Sequence, residues 1–358
     1  MSRFHKVRIK SIKKETPDCV TVALDVPSEL QDTFRYTQGQ YLTFRRDFDG
    51  EKLRRSYSIC SSPLEGEWKV AIKKVPEGRF SGYANEGLQV GEELEVMPPM
   101  GRFYTDLDPA NEKLYVAFAA GSGITPILSI VKTILLTEPK SQIYLIYGNR
   151  GRNSIIFKEE IEGLKNKHMD RLSVYHILSR EQGDTELLFG RINKEKTKLF
   201  LDNIIAPAQI DECFICGPEE MIFGVKDVMQ EAGVDANKIH FELFATGDKG
   251  QQSQQKKKIS NGAADKQSHV TVKLDGNVLQ MEMSYYGRTI LEAATELGAD
   301  LPYSCKGGVC STCRARVVEG EVEMDVNYSL EPEEVQAGYI LTCQSRPLTE
   351  KVVVDFDQ

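Results

Sequence analysis

Over the first 108 residues of this 358-residue chain, apolar and polar positions alternate in short runs. Cys19–Val26 (CVTVALDV), Gln40–Phe44 (QYLTF), Trp68–Val75 (WKVAIKKV) and Glu93–Met97 (ELEVM) follow the two-residue period of a strand with one buried face. Turn residues separate these runs, which predicts a small antiparallel β-barrel over 1–108. The texture then changes. Leu114–Ala120 (LYVAFAA) is apolar throughout, as in a strand buried on both faces, and a helical pattern follows through Leu136. Ser141–Tyr147, Arg171–Leu178 and Glu212–Cys216 read as further strands, with helices over Phe157–Lys167 and from Glu219. Strands alternating with helices over 109–245 predict a parallel α/β sheet.

Residues 246–268 (TGDKGQQSQQKKKISNGAADKQS) hold almost no large apolar side chain. They cannot bury enough surface to offset the entropy of ordering, so a flexible linker is expected there. The lysines at 256–258 read as part of that solvated segment. A third unit is expected over 269–358, with strands at Val270–Leu274, Arg314–Val318 and Lys351–Phe356 and a helix at Thr289–Leu297.

Composition narrows the function classes. Hydrophobic residues make up 41% and charged residues 27%, ordinary for globular domains. The longest nearly apolar stretch, Leu114–Ile130, is broken by Gly121, Ser122, Gly123 and Pro126, so no membrane span is expected. The start, MSRFHKVRIKSIKKE, has no apolar stretch of the signal-peptide kind, and a cytoplasmic protein is the expectation. Net charge is −8, and residues 269–358 hold 7 Lys or Arg against 15 Asp or Glu, so all the negative excess lies there. That balance argues against nucleic acid as a partner. It fits a C-terminal module docking on a basic surface, and equally an acidic domain kept soluble by its charge. The five histidines form no metal motif, and there is no G-x-S-x-G elbow and no Walker loop, which leaves hydrolase and kinase readings without residues.

Four of the eight cysteines fall in the last 54 residues, spaced Cys305-x4-Cys310-x2-Cys313 and then, after 29 intervening residues, Cys343. This is the plant-type [2Fe–2S] ligand spacing. A tight loop supplies three thiolates and a distant strand end the fourth, while Gly307 and Gly308 let the backbone come close. A zinc site would be expected to show a second C-x2-C knuckle, which is missing. With PYSCKGGVCSTC and LTCQS, residues 269–358 resemble plant-type ferredoxins. The resemblance implies an α+β (β-grasp) fold and one-electron transfer.

In the barrel region stands Arg55-Ser56-Tyr57-Ser58. An aromatic ring can stack on an isoalloxazine, an arginine can pair with a phosphate, and a hydroxyl can reach a flavin nitrogen. Lys73 and Gly78-Arg79-Phe80-Ser81 follow, a glycine turn opening a short helix and suited to a pyrophosphate. Further on, Gly121-Ser122-Gly123-Ile124-Thr125-Pro126 leaves a buried strand and opens a helix, the place of a phosphate site in an α/β sheet. Pro126 stands where the Rossmann fingerprint has its third glycine, and is tolerated in a first helical turn. Cys216-Gly217-Pro218 ends the last buried strand, with Met221 in the helix beyond. Cys213 and Cys216, three apart in a strand, face opposite ways, so they are not expected to share a metal.

Taken in order, these motifs resemble the ferredoxin–NADP reductase family. The resemblance implies that Arg55, Ser56, Tyr57, Ser58, Lys73, Gly78, Arg79, Phe80 and Ser81 hold a flavin, FAD rather than FMN. It implies that Gly121, Gly123, Thr125, Pro126, Gly217, Pro218 and Met221 bind NAD(P)H. It places Cys216 beside the nicotinamide and Glu242 or Phe244 over the flavin, with Ser58, Cys216 and Glu242 nearest the chemistry. Ser179 and Arg180, with Arg150 and Arg152 as alternatives, are expected against a 2′-phosphate, which favours NADPH over NADH. The domain order resembles that of reductase components of multicomponent oxygenases, which implies that NADPH gives hydride to FAD and that the [2Fe–2S] centre passes single electrons to the oxygenase component of a monooxygenase. Two other readings stay open, a reductase for a different oxygenase or a fatty-acid desaturase, and a non-enzymatic iron–sulfur sensor.

Overall fold

Rich in lysine and arginine as it is, the segment HKVRIKSIKKET is a strand, β1 (His5–Thr16), with Val7, Ile9 and Thr16 buried. The register shifts between Ile9 and Ser11, which breaks the alternation that would have marked it in the sequence. It forms a hairpin with β2 (Cys19–Asp25), turning at Pro17 and Asp18. The computed structural model of the chain describes residues 4–181, 185–244, 266–285 and 287–358. His5–Phe48 and Tyr57–Phe244 form one compact unit, and the C-terminal module is the bulk of a second.

Four more strands complete the N-terminal sheet: β3 (Tyr41–Phe48), β4 (Glu51–Ser58), β5 (Trp68–Lys73) and β6 (Glu93–Val96). Their order is β4-β3-β6-β1-β2-β5. Just past β4, Ile59 bridges to Val70 of β5, so the sheet curls back on itself as the expected antiparallel barrel. Its core is Val7, Val22, Leu42, Phe44, Ile59, Ile72 and Phe80, each at most 2% exposed. One short helix, α1 (Arg79–Glu86), packs Phe80, Ser81 and Ala84 against it.

The next domain is a parallel sheet of β7 (Leu114–Ala120), β8 (Gln142–Asn149), β9 (Leu172–Leu178), β10 (Glu212–Gly217) and β11 (Ile239–Leu243), in the order β11-β10-β7-β8-β9. Helices α2 (Ile124–Thr137), α3 (Lys158–Lys167), α4 (Lys194–Asn203) and α5 (Glu219–Glu231) connect the strands. The chain runs outward from β7 to β8 and β9, then returns to the other side of β7 with β10. The crevice at the carboxyl ends of β7 and β10 is therefore the topological switch point, where open α/β sheets bind ligands.

The C-terminal module holds β12 (Gln267–Leu274), β13 (Asn277–Ser284), α6 (Ile290–Glu296), β14 (Arg314–Glu319), β15 (Val322–Met324), α7 (Pro332–Gln336), β16 (Tyr339–Leu341), β17 (Ser345–Pro347) and β18 (Lys351–Asp355). Its main sheet runs β13-β12-β18-β14-β16, with β12 and β18 parallel at the centre. That is the β-grasp arrangement. Thr289 and Glu292 form a reciprocal capping box on α6, which lays Ile290, Leu291 and Ala294 into the core. The expected linker lies outside the described residues up to 265. From Gln267 the chain is already in β12, because Ser268, Val270 and Val272 share the buried face and the serine hides that periodicity. Among the described residues no helix is long and apolar enough to cross a membrane.

Candidate functional site

The Arg55–Ser58 segment is the end of β4. Consecutive strand residues point to opposite faces, and Tyr57 and Ser58 diverge accordingly. The Tyr57 ring lies 5.8 Å from Phe80 and 5.9 Å from Phe44, centroid to centroid, and stays half-buried. The Ser58 hydroxyl is buried and donates to Glu242 Oε2 at 3.1 Å, which joins the end of β4 to β11 of the nucleotide domain. Arg55 is exposed, with Nη1 donating to the Arg54 carbonyl at 2.8 Å. Ser56 is half-buried.

Gly78 caps α1, and a Cβ there would meet Ser81 Oγ at 2.5 Å and the Val75 carbonyl at 3.1 Å. The Ser81 hydroxyl is used within this turn: it accepts from Val75 N at 3.1 Å and donates to Gly78 O at 3.2 Å. Ser81 therefore shapes the loop, and the first-turn N–H groups, which have no intrahelical acceptor, are what the helix offers an anion. Arg79 donates to the Phe48 carbonyl at 2.8 Å, Lys73 pairs with Asp18 at 3.6 Å, and Phe80 is a core residue, 2% exposed.

At the switch point two glycines do different work. Gly121 has φ +55 and open space where a Cβ would be, so its need is conformational. Gly123 needs room, since a Cβ would stand 2.1 Å from the Cys216 carbonyl oxygen. The Gly121 carbonyl accepts from the buried Tyr147 hydroxyl at 3.0 Å. Thr125 Oγ1 donates back to Ser122 O at 3.0 Å, and Pro126 sits buried in the first turn of α2. On β10, Cys216 pairs in register with Ala119 of β7 and Glu242 of β11. Gly217 leaves room for the Met221 methyl, which a Cβ would meet at 2.6 Å, and Pro218 caps α5. Burial, with the Glu242 charge adding to it, pushes the Cys216 thiol well above its ordinary range, so it stays neutral. Cys213 is equally buried on the same strand and its thiol is pushed up by the same cause. Phe244 packs against the nucleotide-domain core.

The loops leaving β8 and β9 are held together by Ser179 N donating to Asn149 O at 2.9 Å and Arg180 N to Arg150 O at 2.8 Å. Arg150 and Arg180 consequently line one cleft of about 460 Å³, with Asp18, Ser154 and Glu181. Arg152 is not among the lining residues but is held at Glu181: its backbone N–H donates to Glu181 Oε1 at 3.0 Å, and its Nε lies 3.7 Å from the same carboxylate.

In the C-terminal module none of the four cysteines forms a disulfide. Among the described residues no three His, Cys, Asp or Glu side chains form a group fit for one metal ion. The thiols are instead hydrogen-bonded in two pairs, Cys305 with Cys310 and Cys313 with Cys343. Two ligands for each of two irons is the division a [2Fe–2S] cluster needs. The loop fits it in other ways. Lys306, Gly308 and Ser311 all have positive φ, which turns the backbone inward. Gly307 N donates to Cys305 Sγ at 3.3 Å, and Gly308 N–H serves Cys343. A Cβ on Gly308 would meet the Val326 carbonyl at 3.0 Å.

Sequence reasoning missed Tyr147, which braces the glycine loop, and the buried polar flank of α2, Ser129, Lys132 and Thr133. The available signal was three polar residues at helical spacing inside a largely apolar helix.

Three family descriptions match in succession: an oxidoreductase FAD-binding domain over residues 6–104, an oxidoreductase NAD-binding domain over 118–227 and a 2Fe-2S iron-sulfur cluster binding domain over 272–348. The chain is 45% identical to a component of the 1,2-phenylacetyl-CoA epoxidase of Escherichia coli (strain K12), across all of this chain and 99% of that one. It is 34% identical to the ferredoxin reductase component of the Rhodococcus rhodochrous 3-ketosteroid-9-alpha-monooxygenase, covering 99% and 97% of the two chains. The chain belongs to this family of oxygenase reductases. The solved phthalate dioxygenase reductase shares its fold, with a TM-score of 0.59 at 23% identity over 99% of this chain and 98% of that one. This reductase is thus an oxidoreductase with FAD, pyridine-nucleotide and [2Fe–2S] domains. Tyr57, Ser58, Lys73 and Gly78 fall in the first match, Gly121 to Met221 in the second and the four cysteines in the third, while Glu242 and Phe244 lie beyond the second.

Proposed function

We propose that this reductase draws electrons from NADPH and delivers them to the oxygenase component of a phenylacetyl-CoA-epoxidising monooxygenase in the cytoplasm. The observation that carries the assignment is the end-to-end 45% identity with the Escherichia coli epoxidase component, well above the 34% with the steroid monooxygenase reductase. When bound, FAD accepts electrons in pairs from the nicotinamide and the [2Fe–2S] cluster takes them one at a time. The chain's own residues bind and orient. Tyr57 and Arg55 would hold the flavin and its phosphate, with the N–H groups at the start of α1 on the pyrophosphate. Ser58, steered by Glu242, would present its hydroxyl to the flavin ring. The Gly121–Gly123 loop and the first turn of α2 would hold the nucleotide pyrophosphate, and neutral Cys216 would pack beside the nicotinamide. Arg150 and Arg180 in their shared cleft support NADPH, since guanidinium groups suit a 2′-phosphate. Cys305 and Cys310 would hold one iron, Cys313 and Cys343 the other.

The test is reconstitution. Purified reductase is combined with the oxygenase component of a phenylacetyl-CoA epoxidase and, separately, with that of a 3-ketosteroid 9α-hydroxylase. NADPH consumption matched by epoxide formation is expected with the first. Coupling to the steroid oxygenase alone, or to neither, overturns the assignment.

A further inference from the structure

Helix α2 buries twelve of its fourteen residues, and past its first turn three of these are polar: Ser129, Lys132 and Thr133, at 0, 6 and 4% exposure. Spaced three and four apart, they share one flank. Their partners come from the barrel segment that continues directly from β4. Ser129 Oγ donates to the Ser61 carbonyl at 2.6 Å. Thr133 Oγ1 is 2.9 Å from Ser62 Oγ and 2.6 Å from the Ser129 carbonyl, so each hydroxyl can donate once along this chain. Lys132 Nζ lies 2.6 Å from Glu65 and 2.7 Å from Glu160 of α3. Burial works against the ammonium charge, but the two carboxylates outweigh it and raise the Lys132 pKa.

An apolar interface between the barrel and α2 would suffice for adhesion, but greasy faces can slide. Buried hydrogen bonds and a doubly paired lysine accept one register, because any shift leaves polar groups unmatched in a dry interface. The two ends of this contact matter. Ser61 is three residues past Ser58. Gly123, which precedes α2, is six residues before Ser129, about 9 Å along a helix. We propose that Ser129, Lys132 and Thr133 are positioning residues that set the nucleotide loop at a fixed distance from the flavin strand, so that nicotinamide and flavin meet in reacting geometry. This rests on the FAD and nicotinamide roles proposed above.

The experiment is anaerobic stopped-flow reduction of the FAD in the full-length holoenzyme by NADPH, followed at the flavin absorbance. Misplacing reactants by an ångström costs up to about 100-fold. In Lys132→Met, the limiting rate at saturating NADPH is expected to fall about 10-fold or more, and about 3-fold in Ser129→Ala/Thr133→Val. The NADPH Kd from the concentration dependence, and the FAD and iron contents, are expected to stay at wild-type values. An unchanged limiting rate in variants that keep their FAD, even with a lower Tm, overturns the proposal, as does a change in Kd alone. Should Lys132→Met lose FAD, the double variant decides by the same limiting rate. Wild-type flavin that neither NADPH nor NADH reduces would sink the underlying reading instead, and is recognised before any variant is compared.

Discussion

Gly123 stands so close to Cys216 that a Cβ on the glycine would lie 2.1 Å from the cysteine's carbonyl oxygen. The obstacle is backbone on both sides, so no rotamer change can relieve it. The close approach draws the nucleotide loop after β7 onto the turn that ends β10. Gly123→Ala must push the two apart, at a cost of about 1–3 kcal/mol. The expected result is a lower Tm and a rise of about 10-fold or more in the KM for NADPH. Gly121→Ala meets open space and only the strain of φ +55, about 1 kcal/mol. Its KM is expected to move less, and steady-state kinetics on the pair checks the order.

Ser58 donates to Glu242 at 3.1 Å, a direct hydrogen bond between the flavin strand and β11. Ser58→Ala removes the hydroxyl without adding bulk. FAD content should hold, because Tyr57 and the α1 turn are untouched, while the limiting rate of FAD reduction by NADPH falls about 10-fold, the loss of roughly one hydrogen bond of 1.4 kcal/mol. Stopped-flow absorbance reads it directly. A rate equal to wild type would leave the Ser58–Glu242 contact as packing only.

Arg180 and Arg150 share a cleft that Arg152, engaged with Glu181, does not line. A charge-assisted hydrogen bond to phosphate contributes about 1.5–3 kcal/mol. Arg180→Ala is expected to raise the KM for NADPH about 10- to 100-fold and leave that for NADH nearly unchanged. Arg152→Ala should alter neither by more than about twofold. Equal losses with both nucleotides in Arg180→Ala would mean that the cleft does not recognise the extra phosphate.

Much of this was legible in the sequence, for reasons tied to particular residues. Leu114–Ala120 announced a doubly buried strand because every position is apolar, and Cys305, Cys310, Cys313 and Cys343 announced a cluster by spacing alone. β1 was not legible: its outer face is lysine and arginine, and the shift at Ile9 spoils the alternation. The start of β12 was hidden by a buried serine. That Ser81 also braces the turn around Gly78, through Val75 N and Gly78 O, is a tertiary detail that no local pattern encodes. The Ser129–Lys132–Thr133 flank depends on partners more than sixty residues away in the barrel for its hydroxyls, so its role emerges only from tertiary structure.

The four cluster cysteines differ in what surrounds them, and that gives the last prediction. Cys313 and Cys343 are 2% and 5% exposed and belong to the hydrophobic core of the C-terminal module, whereas Cys305 and Cys310 sit half-buried in the loop. Any of the four changed to serine should abolish the EPR signal of the native reduced cluster, since one iron loses one of its two thiolates. NADPH-driven ferricyanide reduction should continue, because the flavin and nucleotide sites contain none of these residues. The stabilities should split by pair. Serine at 313 or 343 puts a hydroxyl into an apolar core, at a further cost of about 1–3 kcal/mol. Cys305 and Cys310 stand in the loop, outside that apolar core, and are only half-buried, so the added cost there is smaller. Thermal unfolding of the full-length variants should therefore show Cys313→Ser and Cys343→Ser melting several degrees below Cys305→Ser and Cys310→Ser. Equal melting of all four would mean that loss of the cluster, not the core, governs the module's stability.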